Sequence, residues 1–335
     1  MKQTRRSNTP PPQLTKQSLK RIKTAALEAI RWFVPFGLVE KRRQKIRRAN
    51  LLKSEAKEAA IKEYFSALNR ENASSEIIEI ADYLKNHPFS IYPYEFTRKY
   101  NANDIEVFHD YSCQMSYVLH NRKKLYFPSE WSRQAVREYY NGLCLEQDEK
   151  SPHRYETPDF CVTKGDIIAD VGAAEGIWAL NYADIAGKIY LFECEKHWIA
   201  ALKKTFEPWK DKVRIVNKYV SNTTNLGNIT MDDFFNNKPV NFIKADIEGA
   251  EPNLLDGCKS LLARSITSNT DLKLLLCAYH NQGDEEKITE CLHAKGFITE
   301  HSTGYMLYII DSQLNPPYIR RGLIRATKAQ GVHQS

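Results

Sequence analysis

The stretch Asp170-Val171-Gly172-Ala173-Ala174-Glu175-Gly176 decides how this chain folds. The apolar run Asp166-Ile167-Ile168-Ala169 precedes it, and Ile177-Trp178-Ala179-Leu180 follows. Strand, glycine turn and helix in that order build a cofactor site. Gly172 and Gly176 carry no side chain, so the backbone can turn sharply and let a ligand approach. The next apolar run, Lys188-Ile189-Tyr190-Leu191-Phe192, closes on Glu193, an acid placed to hold two ribose hydroxyls. The spacing is D-x-G-x-x-x-G, not the G-x-G-x-x-G of dinucleotide folds. The plain alternative is an ordinary glycine turn between a strand and a helix.

Outward from that turn the chain alternates strand and helix. Strands are expected at 165–171, 188–193, 213–218, 240–247, 272–279, 297–301 and 304–310, with helices such as Lys196 to Phe206, Pro252 to Leu262 and Glu285 to Ala294 between them. This pattern predicts an α/β fold with a Rossmann-like, mostly parallel seven-stranded sheet covered on both faces. The last two strands, joined around Ser302-Thr303-Gly304, predict an antiparallel hairpin at one edge. The α/β domain is placed at 156–313 and a mainly helical N-terminal or cap region at 51–155. Within that region a hairpin is expected from Met115 to Phe127 and a helix from Ser132 to Leu145. Residues 314–335 read as a basic C-terminal tail with Arg320, Arg321, Arg325 and Lys328.

The net charge of +7 over 335 residues is unevenly placed. Residues 1–50 hold 14 Lys or Arg against Glu28 and Glu40, a local charge of +12, which leaves −5 on the rest. This arm opens on a polar stretch with Pro10 to Pro12 that is expected to be disordered. In residues 16–48, Leu19, Ile22, Ala26 and Ile30 recur at helical spacing, and Trp32, Phe33 and Phe36 cluster between basic flanks. That composition suits an anionic membrane surface; docking on the protein's own body is the competing reading. Nucleic acid is disfavoured, because the rest of the chain offers no basic face. The seven cysteines form no C-x-x-C pair, which argues against a zinc site and for a reducing compartment. No secretory signal is evident. The expected location is cytoplasmic, with peripheral attachment to the inner face of the membrane.

The second decisive segment is Lys244-Ala245-Asp246-Ile247-Glu248-Gly249-Ala250-Glu251. Strand alternation puts Lys244, Asp246 and Glu248 on one face. Charged groups on an otherwise apolar strand are costly to bury without a role. They also sit at the carboxyl end of a strand, where open α/β sheets bind ligands. Pro252 then starts a helix with Glu251 as its cap or first-turn acid.

The D-x-G-x-x-x-G turn with an acid closing the second strand resembles the class I S-adenosylmethionine-dependent methyltransferases. The string K-x-D-x-E-G-x-E resembles the signature of the FkbM family within that class. Phe192-Glu193, Thr230-Met231-Asp232-Asp233-Phe234, Leu255-x-Gly257 and His280 extend the resemblance over roughly residues 160–300. Cys194 stands where many members have proline, and Ala174-Glu175 where Asn-Ile or Asn-x is common. The resemblance implies S-adenosylmethionine held by Asp170, Gly172, Ala173, Gly176 and Glu193. It implies O-methylation, and the basic arm and polar site point to a hydroxyl of a glycan, a glycan precursor, a glycan-lipid or a related polar metabolite. Asp246, Glu248 and His280 are the catalytic candidates. A divalent metal, Mg or Mn, on Asp246, Glu248 or Glu251 is the other way to activate a hydroxyl. Gln147, His153 and Tyr155, just before the first strand, are expected to fold over cofactor or acceptor. Asn315-Pro316-Pro317-Tyr318 reads as N-P-P-Y but falls after the last expected strand, so it is taken as a proline turn. The rival readings are a nicotinamide-dependent reductase, disfavoured by the glycine spacing, and a membrane-recruited binding protein without catalysis.

Overall fold

The computed structural model describes residues 55–267, 271–309, 311 and 314–328. The chain divides into two compact units, residues 1–61 and 62–335. The basic arm and its amphipathic segment lie outside the described residues. Everything below concerns the second unit. Among the described residues, no helix is long and apolar enough to cross a membrane.

The unit begins with α1 (Ser75–Asn86), whose first turn is capped by Ser74. A three-stranded antiparallel sheet follows, formed by β1 (Phe108–Asp110), β2 (Met115–His120) and β3 (Lys123–Tyr126). The last two are the expected hairpin, and β1 adds a strand to it. Helix α2 (Arg133–Glu146) starts at Ser132, whose hydroxyl accepts from Ala135 N–H.

The main sheet has seven strands: β4 (Ile167–Val171), β5 (Lys188–Phe192), β6 (Val213–Val216), β9 (Phe242–Ala245), β10 (Lys273–Cys277), β11 (Phe297–His301) and β12 (Leu323–Lys328). Their spatial order is β11-β12-β10-β9-β4-β5-β6, and β12 runs against both neighbours. A small parallel pair, β7 (Tyr219–Val220) and β8 (Asn228–Ile229), stands apart. The connecting helices are α3 (Ile177–Asn181), α4 (Lys196–Thr205), α5 (Met231–Phe235), α6 (Glu251–Asp256), α7 (Lys259–Thr267) and α8 (Asp284–His293). This is the Rossmann-like architecture expected from the sequence.

Strand alternation divides the core in two. Ile168, Ile189, Leu191, Phe242 and Leu275 point to one face with Trp178 and Leu180. Ala169, Val171, Tyr190, Phe192, Ile243 and Leu276 point to the other with Leu254 and Leu262.

The C-terminal expectations need correction. Residues 304–310 do not form the seventh strand: Met306 makes only an isolated bridge to Arg320, and Leu307 N–H donates to Ile91 O at 2.9 Å. The seventh strand is Leu323–Lys328, so part of the expected basic tail lies inside the sheet, and no short hairpin joins β11 to β12. Two of its arginines are buried. Arg320 donates to the carbonyls of Tyr279 and His280 at 2.8 and 2.9 Å, and Arg325 to those of Tyr155 and Arg154 at 3.2 and 2.6 Å. The N-P-P-Y run lies in the connection before β12, where Pro316 O accepts from Gln282 at 3.2 Å.

Candidate functional site

The carboxyl ends of β4, β5 and β9 open on one cleft of about 340 Å³, lined by Gly172, Ala174, Glu193, Trp198, Asp246 and Glu248 among others. Gly172 has φ +72° and Gly176 φ +80°, both left-handed, and Gly176 is the N-cap of α3. A Cβ on Gly172 would lie 2.0 Å from the Asp246 carbonyl oxygen. Glycine there lets the turn close against the end of β9. Glu193 accepts backbone N–H groups of Ala174, Cys194 and Glu195 at 2.8, 2.6 and 2.8 Å. Its carboxylate is thus fixed in orientation at the cleft wall. Trp198, at the cleft wall, packs against Trp131 and Tyr139 with ring centroids 5.2 and 5.5 Å apart.

Asp170 and Ala173 are buried beside this cleft rather than among its lining residues. Register explains Asp170: it pairs opposite Lys244 across β4 and β9, and the two side chains form a buried ion pair at 2.9 Å. Lys244 Nζ also donates to Gly172 O at 3.0 Å. Burial would push Lys244 down, but Asp170 and Asp246 outweigh it and hold the ammonium charged. Asp170 therefore anchors Lys244 under the turn.

Asp246 lines the cleft, and several of the expected site residues gather around it. Tyr155 OH donates to its Oδ2 at 3.0 Å and Tyr279 OH to Oδ1 at 3.4 Å. His280 Nε2 lies 3.4 Å from Asp246 Oδ1 and 3.8 Å from Glu248 Oε2, and its Nδ1 lies 3.4 Å from Glu251 Oε1. His153 Nε2 stands 3.9 Å from Asp246 Oδ2. Burial raises Asp246, but Lys244, His153, His280 and the Tyr155 hydroxyl outweigh it and hold the carboxylate below its ordinary range. Burial lowers His153 to about 4, so it is neutral. Burial also pulls on His280, yet Glu251, Asp246 and Glu248 together raise it and favour the imidazolium. That environment works against the bare ring as a proton acceptor.

The expected alternation along the segment stops at Ala245. Asp246 is past the strand, and Glu248 has φ +56° and an exposed side chain. Glu251 heads α6 but is fully buried, with Oε1 accepting Ile247 N–H at 2.9 Å. Of the linker residues, His153 and Tyr155 reach Asp246. Gln147 does not: it accepts from Tyr155 N–H at 3.2 Å and donates to His153 O at 3.4 Å, holding the other two in place.

Sequence reasoning missed Tyr279, whose signal was its place beside His280 at a strand end. It also missed Glu146, the last residue of α2. Burial first, then Asp246 and Glu175, push Glu146 up to about 8. Glu175 is buried under Tyr139, which donates to it at 2.9 Å, and burial raises it to about 7.

No family model matches the chain, and no curated protein does. Solved structures do. One is the methyltransferase FkbM from Methylobacillus flagellatus KT, at 16% identity and TM-score 0.39, covering 58% of this chain and 53% of that one. An rRNA methylase from Streptococcus thermophilus matches at 12% and 0.36, covering 52% and 98%. A putative methyltransferase from Streptococcus mutans in complex with SAH matches at 16% and 0.34, covering 50% and 92%. This chain spans about half the length of the FkbM structure.

Proposed function

We propose that this protein is an S-adenosylmethionine-dependent O-methyltransferase of the FkbM kind. One observation carries the reading: Gly172 and Ala174 of the glycine turn, Glu193, and Asp246 with Glu248 line one cleft. Glu193 takes the ribose hydroxyls, and the turn admits the rest of the cofactor. The acceptor hydroxyl enters beside Asp246 and His280. Methyl transfer breaks the C–S bond, forms a C–O bond, and requires the hydroxyl proton to leave. Alignment of the methyl group with the acceptor supplies much of the rate, and the Asp246 carboxylate, at the cleft wall, accepts the proton. The acceptor class is a hydroxyl of a glycan, a glycan precursor or a glycan-lipid. Residues 16–48 bring the protein to the inner, anionic face of the membrane.

Calorimetric titration with S-adenosylmethionine, S-adenosylhomocysteine and NADH tests this. The two sulfur compounds are expected to bind and NADH not. Hydrogen bonds to a charged group contribute roughly 1.5–3 kcal/mol each, so Glu193→Ala is expected to weaken binding at least about tenfold. Binding of NADH alone supports the reductase, and unchanged affinity in the variant removes Glu193 from the site.

A further inference from the structure

We propose that Asp246, His280 and Glu251 form a binding site for one divalent cation of the Mn²⁺ type, at the acceptor side of the cleft. The three side chains come from separate places in the fold: the end of β9, the loop after β10 and the head of α6. Each offers a ligand atom, and the three atoms lie within 4.8 Å of one another. The two closest approaches, His280 Nε2 to Asp246 Oδ1 and His280 Nδ1 to Glu251 Oε1, are both 3.4 Å. These two contacts use opposite nitrogens of the ring, and one ion takes only one of them; donors that share an ion at about 2.1 Å sit roughly 3.0–3.4 Å apart, so the spread of up to 4.8 Å must close when the ion binds.

Unpaired atoms at this spot point the same way. His280 is 7% exposed and Glu251 0% exposed. Neither ring nitrogen of His280 has a hydrogen-bond partner, although each lies 3.4 Å from a carboxylate oxygen, and Glu251 Oε2 has none either. Buried polar groups are rarely left so, and an ion is one of the few explanations. The local charge agrees. Asp246, Glu248 and Glu251 converge on one imidazole, while the neighbouring ammonium, Lys244, is engaged by Asp170 and Gly172 O. Two carboxylates with one imidazole suit Mn²⁺ better than Mg²⁺, which prefers oxygen donors and its own water. A second grouping, His153, Asp246 and Cys277, shares the same aspartate. It is weaker, because Tyr155 OH donates at 3.0 Å to the Asp246 oxygen that faces His153, whereas the oxygen that faces His280 has only the longer 3.4 Å contact from Tyr279 OH.

The ion's role in methyl transfer rests on the function proposed above. A cation there would hold the acceptor hydroxyl and lower its pKa, and the proton would pass to water in the open cleft. Binding of the ion itself does not depend on that reading. It is tested on the full chain, stripped with chelator and titrated with Mn²⁺ alone, by electron paramagnetic resonance with ¹⁴N echo-envelope detection. Wild type is expected to take up one Mn²⁺ per chain with ¹⁴N modulation from an imidazole. His280→Gln is expected to lose the modulation, and Asp246→Asn and Glu251→Gln to bind at least about tenfold more weakly. Wild type alone decides if a variant fails to fold: no saturable uptake, or uptake without ¹⁴N modulation, overturns the site. Variants that bind Mn²⁺ as wild type does also overturn it. A parallel S-adenosylhomocysteine titration separates the two ideas. Nucleoside binding without Mn²⁺ uptake sinks the ion only, and Mn²⁺ uptake without nucleoside binding sinks the methyltransferase reading only.

Discussion

Replacing Gly172 by alanine tests whether the glycine turn and the end of β9 are pressed together by necessity. Two costs can be worked out. At φ +72° an L-residue pays about 1–2 kcal/mol of conformational strain. The new Cβ would also stand 2.0 Å from Asp246 O and 3.0 Å from Ile247 Cγ2. Relieving the first contact moves backbone by about 1 Å, which for a packed interior costs roughly 1–3 kcal/mol. The total of about 2–5 kcal/mol should lower Tm by about 5–15 °C for a unit of this size. Gly165 supplies the control. It has φ +92°, but a Cβ there meets nothing within 4 Å, so Gly165→Ala pays the strain alone. Urea and thermal unfolding of both variants, with S-adenosylhomocysteine titration, is the assay. Gly172→Ala should be clearly less stable than Gly165→Ala and should bind the nucleoside at least about tenfold more weakly. Equal stability of the two variants, or full affinity in Gly172→Ala, would refute the close-approach argument.

Three further outcomes are expected. Burial raises Glu156 to about 7 despite hydrogen bonds from Tyr182 and Trp178. Its folded value lies above the unfolded one, so the folded protein keeps a proton that the unfolded chain releases; stability should fall as pH rises from about 4.5 to 7, by about 1–3 kcal/mol for this group, and Tm measured across that range should slope less in Glu156→Gln. Arg325→Leu frees the carbonyls of Arg154 and Tyr155 and, at about 1.5–3 kcal/mol for bonds to a charged donor, should destabilise the protein by a few kcal/mol in urea unfolding. Vesicle flotation with acidic lipids should require residues 16–48 and weaken with salt, and equal flotation of a chain starting near Leu51 would rule the membrane role out.

What could be read from the sequence follows from how local each signal is. The turn at Asp170–Gly176, its flanking strand and helix, and Glu193 were legible because one short segment contains the whole device. The strand at 304–310 was misread for the opposite reason. Tyr305-Met306-Leu307-Tyr308-Ile309 has the apolar content of a buried strand, but Leu307 bonds to Ile91, more than two hundred residues earlier. Leu323-Ile324-Arg325-Ala326-Thr327-Lys328 looked too basic for a sheet interior. Arg325 is tolerated there because the linker's carbonyls meet it, and no local pattern announces them. Glu251 looked like a helix cap; that it meets His280 depends on two strands being neighbours.

The position of β12 bears on how the chain can be made. β12, the last strand in chain order among the described residues, lies between β10 and β11. Until Leu323–Lys328 has left the ribosome, β10 presents an unpaired apolar edge and β11 has no partner in this sheet. Such edges are templates for wrong pairing. The same insertion brings Arg320 to the carbonyls of Tyr279 and His280 and Arg325 to that of Tyr155. The residues around Asp246 therefore gain these supports only after β12 has been made, and a nascent protein that already has its glycine turn still lacks them.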